Sequence, residues 1–331
     1  MILKPITPSN NLKTNVMKSL IKPVDKDLLL KELSSERFFR KTNNGNNEIY
    51  IVSDHDSPNL MLEIGRLREL AFRASGGGTG KEVDIDSFDL GENGFKQLIV
   101  WNPDELEIIG GYRFIECKYL PIDREGNVHT PTAKLFTYSE KFIQDYLPFT
   151  IELGRSFVQP KYQPAKNMRK GMYALDNLWD GLGSLIYLFP ETRYFFGKVT
   201  MYPHYDKMAR DLILYFLSYY FPDEDKLVYP RNPLSYHHEL KALQERFSGN
   251  SYKEDYKILM KIVRERKENI PPLVNAYMNL SSTMKYFGTA LNETFGAVEE
   301  TGIIVTIGDI FDFKKDRHLH YDPNEKPSHL K

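Results

Sequence analysis

At 331 residues, with 41% hydrophobic and 27% charged side chains, the chain can bury a large core and is too apolar to be disordered. A formal net charge of -1 supplies no global field toward nucleic acid or an anionic membrane, so electrostatic recognition has to be local. One cysteine, Cys117, excludes an internal disulfide framework and a Cys-rich metal site, and apolar runs such as 182–190 fall far short of the roughly 20 residues that span a bilayer.

The start MILKPITPSNNLK lacks the apolar core of a signal peptide, and the reading is a cytoplasmic protein. Residues 1–44 read as a loose arm with a short helix over 26–39. NEIYIVSD follows as a strand. Residues 60–73 then place Leu60, Ile64, Leu67, Ala71 and Phe72 at helical spacing, ended by the breaker SGGGTG. FKQLIVWN and LEIIGGYRFIE, divided by Asn102, Pro103 and Asp104, predict an antiparallel pair. A strand over 149–158, a helix over 168–188 and the strand YFFGKVTM compose a βαβ unit, which requires a parallel pair. After a helix over 206–221, the polar stretch 223–269 reads as a helical insertion. The block 270–310 runs helix then strand at GIIVTIGDI, and 311–331 is a polar tail.

Several motifs invite chemistry. Ser75 to Glu82, SGGGTGKE, has a glycine run but lacks the first Gly and the Ser or Thr after Lys81 that a phosphate loop needs, and a mobile flap over a site is the better reading. His237 and His238, like His318 and His320, lack a second cluster that would complete a zinc site and read as surface histidines; no metal is expected. Asp84, Asp86 and Asp89 do not follow a calcium loop, and their spacing alone favours a capped, solvated turn. Glu152 and Arg155 interrupt an otherwise apolar strand, where each needs a partner or a cleft, and Gly154 between them could carry a bulge that re-aims them. Lys161, Lys166, Arg169 and Lys170 precede a helix and make either an anion site or a solvated basic loop.

In this order the elements resemble the acyl-carrier-protein-dependent branch of the GNAT superfamily. That branch includes ornithine-lipid and glycine-lipid N-acyltransferases, sometimes labelled hemolysin-like, N-acyl amino acid synthases and acyl-homoserine-lactone synthases. The family's Arg and Phe of the first long helix look like Arg68 and Phe72, its paired aspartates like Asp86 and Asp89, its Gly-x-Arg like Gly111-Tyr112-Arg113, and its Glu-x-x-Arg like Glu152 and Arg155. Ile270-Pro271-Pro272-Leu273 and Phe295-Gly296 are similar to the lipid-forming members. Gly76 to Gly78 stand where lactone synthases carry a tryptophan, and Glu293 is the nearest match to an acidic position before the last strand.

The resemblance implies an α/β fold, a GNAT-like mixed sheet with splayed central parallel strands plus the helical insertion, in a domain over 45–310. It implies transfer of a long-chain acyl group, plain or 3-hydroxylated, from acyl carrier protein to the amine of a small amino acid, in N-acyl amino acid or aminolipid synthesis. Glu152 would be the base, with backbone N–H groups of Phe157 and Val158 receiving the oxyanion. Arg68, Phe72, Asp86, Asp89, Arg113 and Arg155 would form the acceptor side and its charge network. Lys161, Lys166, Arg169 and Lys170 would meet the phosphopantetheine and the carrier. No bound cofactor is implied; the donor is acyl-phosphopantetheine of acyl carrier protein, or acyl-CoA. A peripheral contact with the inner membrane is compatible, and nucleic acid is not a partner. An acetyl-CoA-dependent acetyltransferase and a non-catalytic acyl- or carrier-binding protein remain the alternatives.

Overall fold

The computed structural model describes residues 17–163 and 171–319, together with 322 and 324–330. Its centre is an eight-stranded sheet in the order β1-β2-β3-β4-β6-β7-β10-β9. The strands are β1 (Phe38–Lys41), β2 (Glu48–Val52), β3 (Lys96–Asn102), β4 (Glu107–Glu116), β6 (Thr150–Val158), β7 (Tyr194–Met201), β9 (Lys285–Asn292) and β10 (Val298–Thr306). A separate two-stranded ribbon pairs β5 (Phe136–Tyr138) with β8 (Val228–Pro230).

Local chemistry explains the elements. The β3–β4 turn closes because the Asn102 side chain accepts from the backbone N–H groups of Asp104 and Glu105, an Asx turn. Helix α2 (Pro58–Ala74) begins with proline in its first turn and buries Leu60, Ile64, Leu67, Ala71 and Phe72 along one face. It packs with Tyr50, Ile99 and Trp101 on one side of the sheet. Helix α3 (Ala174–Leu188) covers the other side, over Leu98, Val100, Tyr112 and Phe195. Helix α4 (Lys207–Tyr220), capped by the Asp206 side chain on Ala209 N–H, joins α6 (Tyr252–Glu265) and α7 (Pro272–Met278) over β7 and β10. Each fully buried Phe or Leu in these seams contributes roughly 1.5–3 kcal/mol, enough to fix which face of each helix turns inward.

Four expectations change. Residues 26–39 hold only a seven-residue helix of about two turns, α1 (Lys26–Glu32); the chain then enters β1, antiparallel to β2. The strand β9, absent from the sequence reading, flanks β10 antiparallel. The 223–269 stretch has a short helix, α5 (Leu240–Gln244), besides α6, but it is not an appendage. Leu243, Leu259 and Val263 belong to the same core as α4, and Asp211 accepts from the backbone of His237 and His238. The polar tail carries a helix, α8 (Asp312–His318), and is docked: Ser328 N–H donates to Glu48, and the His318 ring bonds Asp180 at 2.8 Å.

Candidate active site

Strands β6 and β7 are parallel and paired only over Thr150 to Leu153 and Tyr194 to Gly197. Beyond that point β6 stays with β4, out to Val158 against Gly110, while β7 stays with β10, out to Met201 against Glu299. The two strands therefore part within the sheet. Into the opening falls a cavity of about 240 Å³, lined by Glu152, Arg155 and Val158 of β6, Lys198 and Thr200 of β7, and Glu300 of β10.

A bulge accompanies the parting. Arg113 pairs with Gly154 and Gly111 with Phe157, so Arg155 and Ser156 together stand opposite Tyr112. The left-handed residue is Arg155 itself, at φ 53°, and not the glycine beside it. Such a conformation costs roughly 1–2 kcal/mol for a residue with a Cβ. It is offset by the contacts it permits: the Arg155 guanidinium lies 4.1 Å above the Phe295 ring, and its Nε is 2.8 Å from Asp84. Phe295 in turn meets Phe72 edge-on at 5.1 Å.

Behind Arg155 lies a closed cluster of charges. Arg68 pairs with Asp89 at 3.1 Å, Arg113 with Asp86 at 2.8 Å and Asp89 at 3.0 Å, and Arg155 reaches Asp84. Gln97 bridges Arg68 and Asp89. Burial alone would raise the Asp89 carboxyl, but Arg68 and Arg113 outweigh it and hold it well below the usual range. The sequence reading assembled five of these residues. It missed Gln97 and the buried Asp84, because a run of Asp at 84, 86 and 89 reads as solvated until α2 and β4 are known to cover it. Asp84 and Asp89 are among the most buried charges of the chain, so the solvated-turn expectation fails.

Glu152 is different. It is 2% exposed; its Oε1 accepts from the Thr132 hydroxyl at 2.7 Å and from Thr132 N–H at 3.3 Å, while Oε2 has no hydrogen-bond partner among the described residues. Burial pushes its carboxyl up, against the Thr132 bond and the charges of Lys198 and Arg113. Across the opening, Lys198 Nζ lies 2.9 Å from Glu300 and 3.3 Å from the Pro131 carbonyl. Burial would raise Glu300, but the Lys198 charge and hydrogen bond, with Asn292, hold it below its ordinary value. Lys198 escaped the sequence reading as the one charge of YFFGKVTM, and Glu300 because the last strand was read from Gly302 onward, leaving the adjacent Glu299 and Glu300 outside it; only the parting of β6 and β7 turns Lys198 and Glu300 toward a common space. Glu293, the acidic residue that the sequence offered here, is exposed.

The backbone of the parted strand is also exposed to the opening. Gln159 N–H donates to Ile109 of β4, whereas the Val158 carbonyl is met by the Gln163 side chain. Strand alternation then turns the N–H of Val158 toward the open side and that of Phe157 toward β4.

Other expectations resolve unevenly. Lys161 is paired at the surface with Glu105 and Glu107, at 3.3 and 2.7 Å. Lys166, Arg169 and Lys170 lie outside the described residues. The glycine run is not a loose flap: the Glu69 carboxylate, fully buried, accepts from the Thr79 N–H and hydroxyl and from Gly80 N–H. Gly296, at φ 82°, sits where a Cβ would come within 2.9 Å of Gly77 Cα, so the loop is packed against the start of β10. His318 is buried on Asp180 and not a surface residue, while His237 is exposed. Among the described residues no three or more His, Cys, Asp or Glu are grouped to hold a metal ion.

Comparisons with known proteins converge on one chemistry. Residues 67–172 match the family model described as an acetyltransferase (GNAT) domain. The chain is similar to the glycine N(alpha)-acyltransferase of Phocaeicola vulgatus, 51% identical over 315 residues, covering 95% of this chain and 97% of that one. It is equally similar to the glycine N(alpha)-acyltransferase of Bacteroides thetaiotaomicron, 51% identical over 315 residues, at 95% and 94% coverage. A solved structure, the AHL synthase LasI, aligns over 46% of this chain and 72% of its own at 11% identity with a TM-score of 0.30, too slight a likeness to carry argument.

Proposed function

This chain belongs to the family of the glycine N(alpha)-acyltransferases, and from that premise we propose that it is an N-acyltransferase moving a long-chain fatty acyl group, plain or 3-hydroxylated, from acyl carrier protein to the amine of glycine. The observation that carries the mechanism is Glu152, a buried carboxylate on the rim of the parted strands with one oxygen tied to Thr132 and the other without a hydrogen-bond partner among the described residues.

The glycine amine enters as an ammonium and gives a proton to Glu152, directly or through a water. A raised carboxyl is suited to this, since its proton affinity is nearer that of the amine. The freed amine attacks the thioester carbonyl carbon; a C–N bond forms, the C–S bond breaks, the pantetheine thiolate leaves with the second proton shed by the nitrogen, and Glu152 returns its own proton to solvent. Negative charge on the carbonyl oxygen meets the Val158 N–H in preference to that of Phe157, whose backbone is engaged on the β4 side. Arg155, at the cavity wall, is the cation best placed for the glycine carboxylate, with Arg68, Asp86, Asp89 and Arg113 fixing its pose.

The acyl chain has an apolar route out of the cavity, between Leu175 and Leu178 of α3 and Leu273 of α7. Lys166, Arg169 and Lys170 would meet the phosphate and the acidic carrier. An N-acylated amino acid with a long chain partitions into a bilayer, so the reading includes a peripheral contact with the inner membrane at product release; no helix among the described residues is long and apolar enough to cross one.

The test is mass spectrometry of products from purified protein, glycine and either plain or 3-hydroxyacyl carrier protein, with acyl-CoA in parallel. N-acylglycine that disappears in Glu152→Gln supports the reading. Turnover of acetyl-CoA alone, or carrier binding without product, replaces it with the acetyltransferase or the non-catalytic alternative.

A further inference from the structure

Lys198 has no part in the mechanism above, yet it stands where β7 has left β6. Its Nζ crosses from β7 to the Pro131 carbonyl, and the very next residue, Thr132, holds Glu152. The ammonium is kept there by Glu300 on the adjacent strand, itself fixed by Asn292. Strand alternation puts Lys198 and Glu300 on one face, and both line the cavity that Glu152 lines. The arrangement is a relay of three charges across the opening, carboxylate, ammonium, carboxylate. Only the last two form an ion pair.

We propose that Lys198, anchored by Glu300, is a positioning residue for Glu152: it ties the Pro131–Thr132 segment across the parted strands and keeps the base in its charged, proton-accepting form. The inference rests on Glu152 acting as base. The groups facing Glu152 are few enough to name: the Thr130 and Thr132 hydroxyls from the loop, Arg113 from β4, the Cys117 thiol just beyond it, the Tyr138 hydroxyl from β5, and Lys198 from β7 with Glu300 behind it. Cys117 and Tyr138 are uncharged at neutral pH, since burial pushes both well above their usual range. Arg113 is committed to Asp86 and Asp89. That leaves Lys198 as the cation whose balance decides the field at Glu152, and Glu300 as the group that sets that balance.

Opposite signs follow for two single substitutions. Lys198→Met removes a cation beside Glu152, leaves Glu300 in place, and moves the acid limb of kcat/KM up by about one pH unit or more. Glu300→Gln keeps a hydrogen-bond partner for Lys198 but removes a negative charge, and moves that limb down. Lys198→Arg returns the limb toward the wild-type position. The measurement is the pH profile of kcat/KM for these variants and for Glu152→Gln, with folding checked by circular dichroism. Limbs shifted in opposite directions carry the proposal. Unmoved limbs, or both variants merely losing kcat at every pH, overturn it and leave Lys198 a brace. Should Lys198→Met fail to fold, Glu300→Gln and Lys198→Arg decide alone: an unshifted limb in Glu300→Gln overturns it. If Glu152→Gln retains the wild-type acid limb, the fault lies in the base assignment and not in Lys198.

Discussion

Two groups of buried charge lie side by side in this protein and are built on opposite terms. In the cluster of Arg68, Arg113, Arg155, Asp84, Asp86 and Asp89, three cations meet three carboxylates and each has an opposite charge within 3.1 Å. Around the opening, Glu152, Lys198 and Glu300 set one cation against two carboxylates, and Glu152 makes no ion pair among the described residues. A closed charge balance fixes backbone, since any change strands a charge out of water. An open one leaves proton affinity free to respond to what binds. On the proposed reading the cluster is the footing and the opening is the place for chemistry, although both set basic side chains against carboxylates at similar depth.

The largest expected effect is Glu152→Gln. Loss of the proposed base should lower kcat about 10²–10⁴-fold in an N-acylglycine assay. Stability moves the other way. The native carboxyl lies above its ordinary 4.5, so its ionisation costs the fold stability as pH rises past that value. The variant escapes that cost, and its Tm at pH 7 equals or exceeds the wild-type value, with the difference vanishing below about pH 4. A lowered Tm would erase the distinction between the two groups.

Next comes Asp89→Asn, which strands Arg68 and leaves Arg113 with Asp86 alone, and costs about 3–5 kcal/mol by denaturant unfolding. Here the native carboxyl is depressed below 3.8, so its stabilisation is full above that value and is lost as pH falls through the native one. Wild-type and variant stabilities should therefore converge in acid. Parallel curves would show that the cluster is not the footing.

Thr132→Val tests how far the opening depends on one hydroxyl. It removes the 2.7 Å bond to the charged form of Glu152, lowers kcat/KM about tenfold near neutrality, and moves the acid limb up. The smallest effect belongs to Lys161→Ala. Its exposed pairs with Glu105 and Glu107 contribute less than about 1 kcal/mol, and KM for the proposed donor, acyl carrier protein, should change less than twofold. Neutralising Lys166 and Arg169 should instead raise that KM and weaken its salt dependence.

The sequence exposed the first group more readily than the second, and the reason is physical. Glu152 and Arg155 were legible as charges in the apolar strand 150–158, whereas Arg68, Asp86, Asp89 and Arg113 came only through the resemblance to the GNAT branch, because the aspartate run by itself reads as a solvated turn. Lys198 is one charge in the otherwise uncharged strand YFFGKVTM, Glu300 precedes the stretch GIIVTIGDI that reads as the last strand, and nothing local says that β10 will insert between β7 and β9. Likewise β7 was legible to its end residues, because FFGKV is strongly strand-forming, whereas β1 and β9 are recognisable only as partners of β2 and β10. The parting of β6 and β7 is a relation between two strands, and no single segment encodes it.

The position of β10 also sets a clock. The strand that supplies Glu300, packs Gly296 against Gly77 and fills the sheet between β7 and β9 follows every other strand in chain order. On the ribosome, β1 to β4 and β6 can be assembled while β7 still lacks its neighbour, so Lys198 emerges without its counter-charge and the pocket without its far wall. The pocket thus waits on the synthesis of β10, and a chain released before it would hold Glu152 but lack the far wall of its chamber.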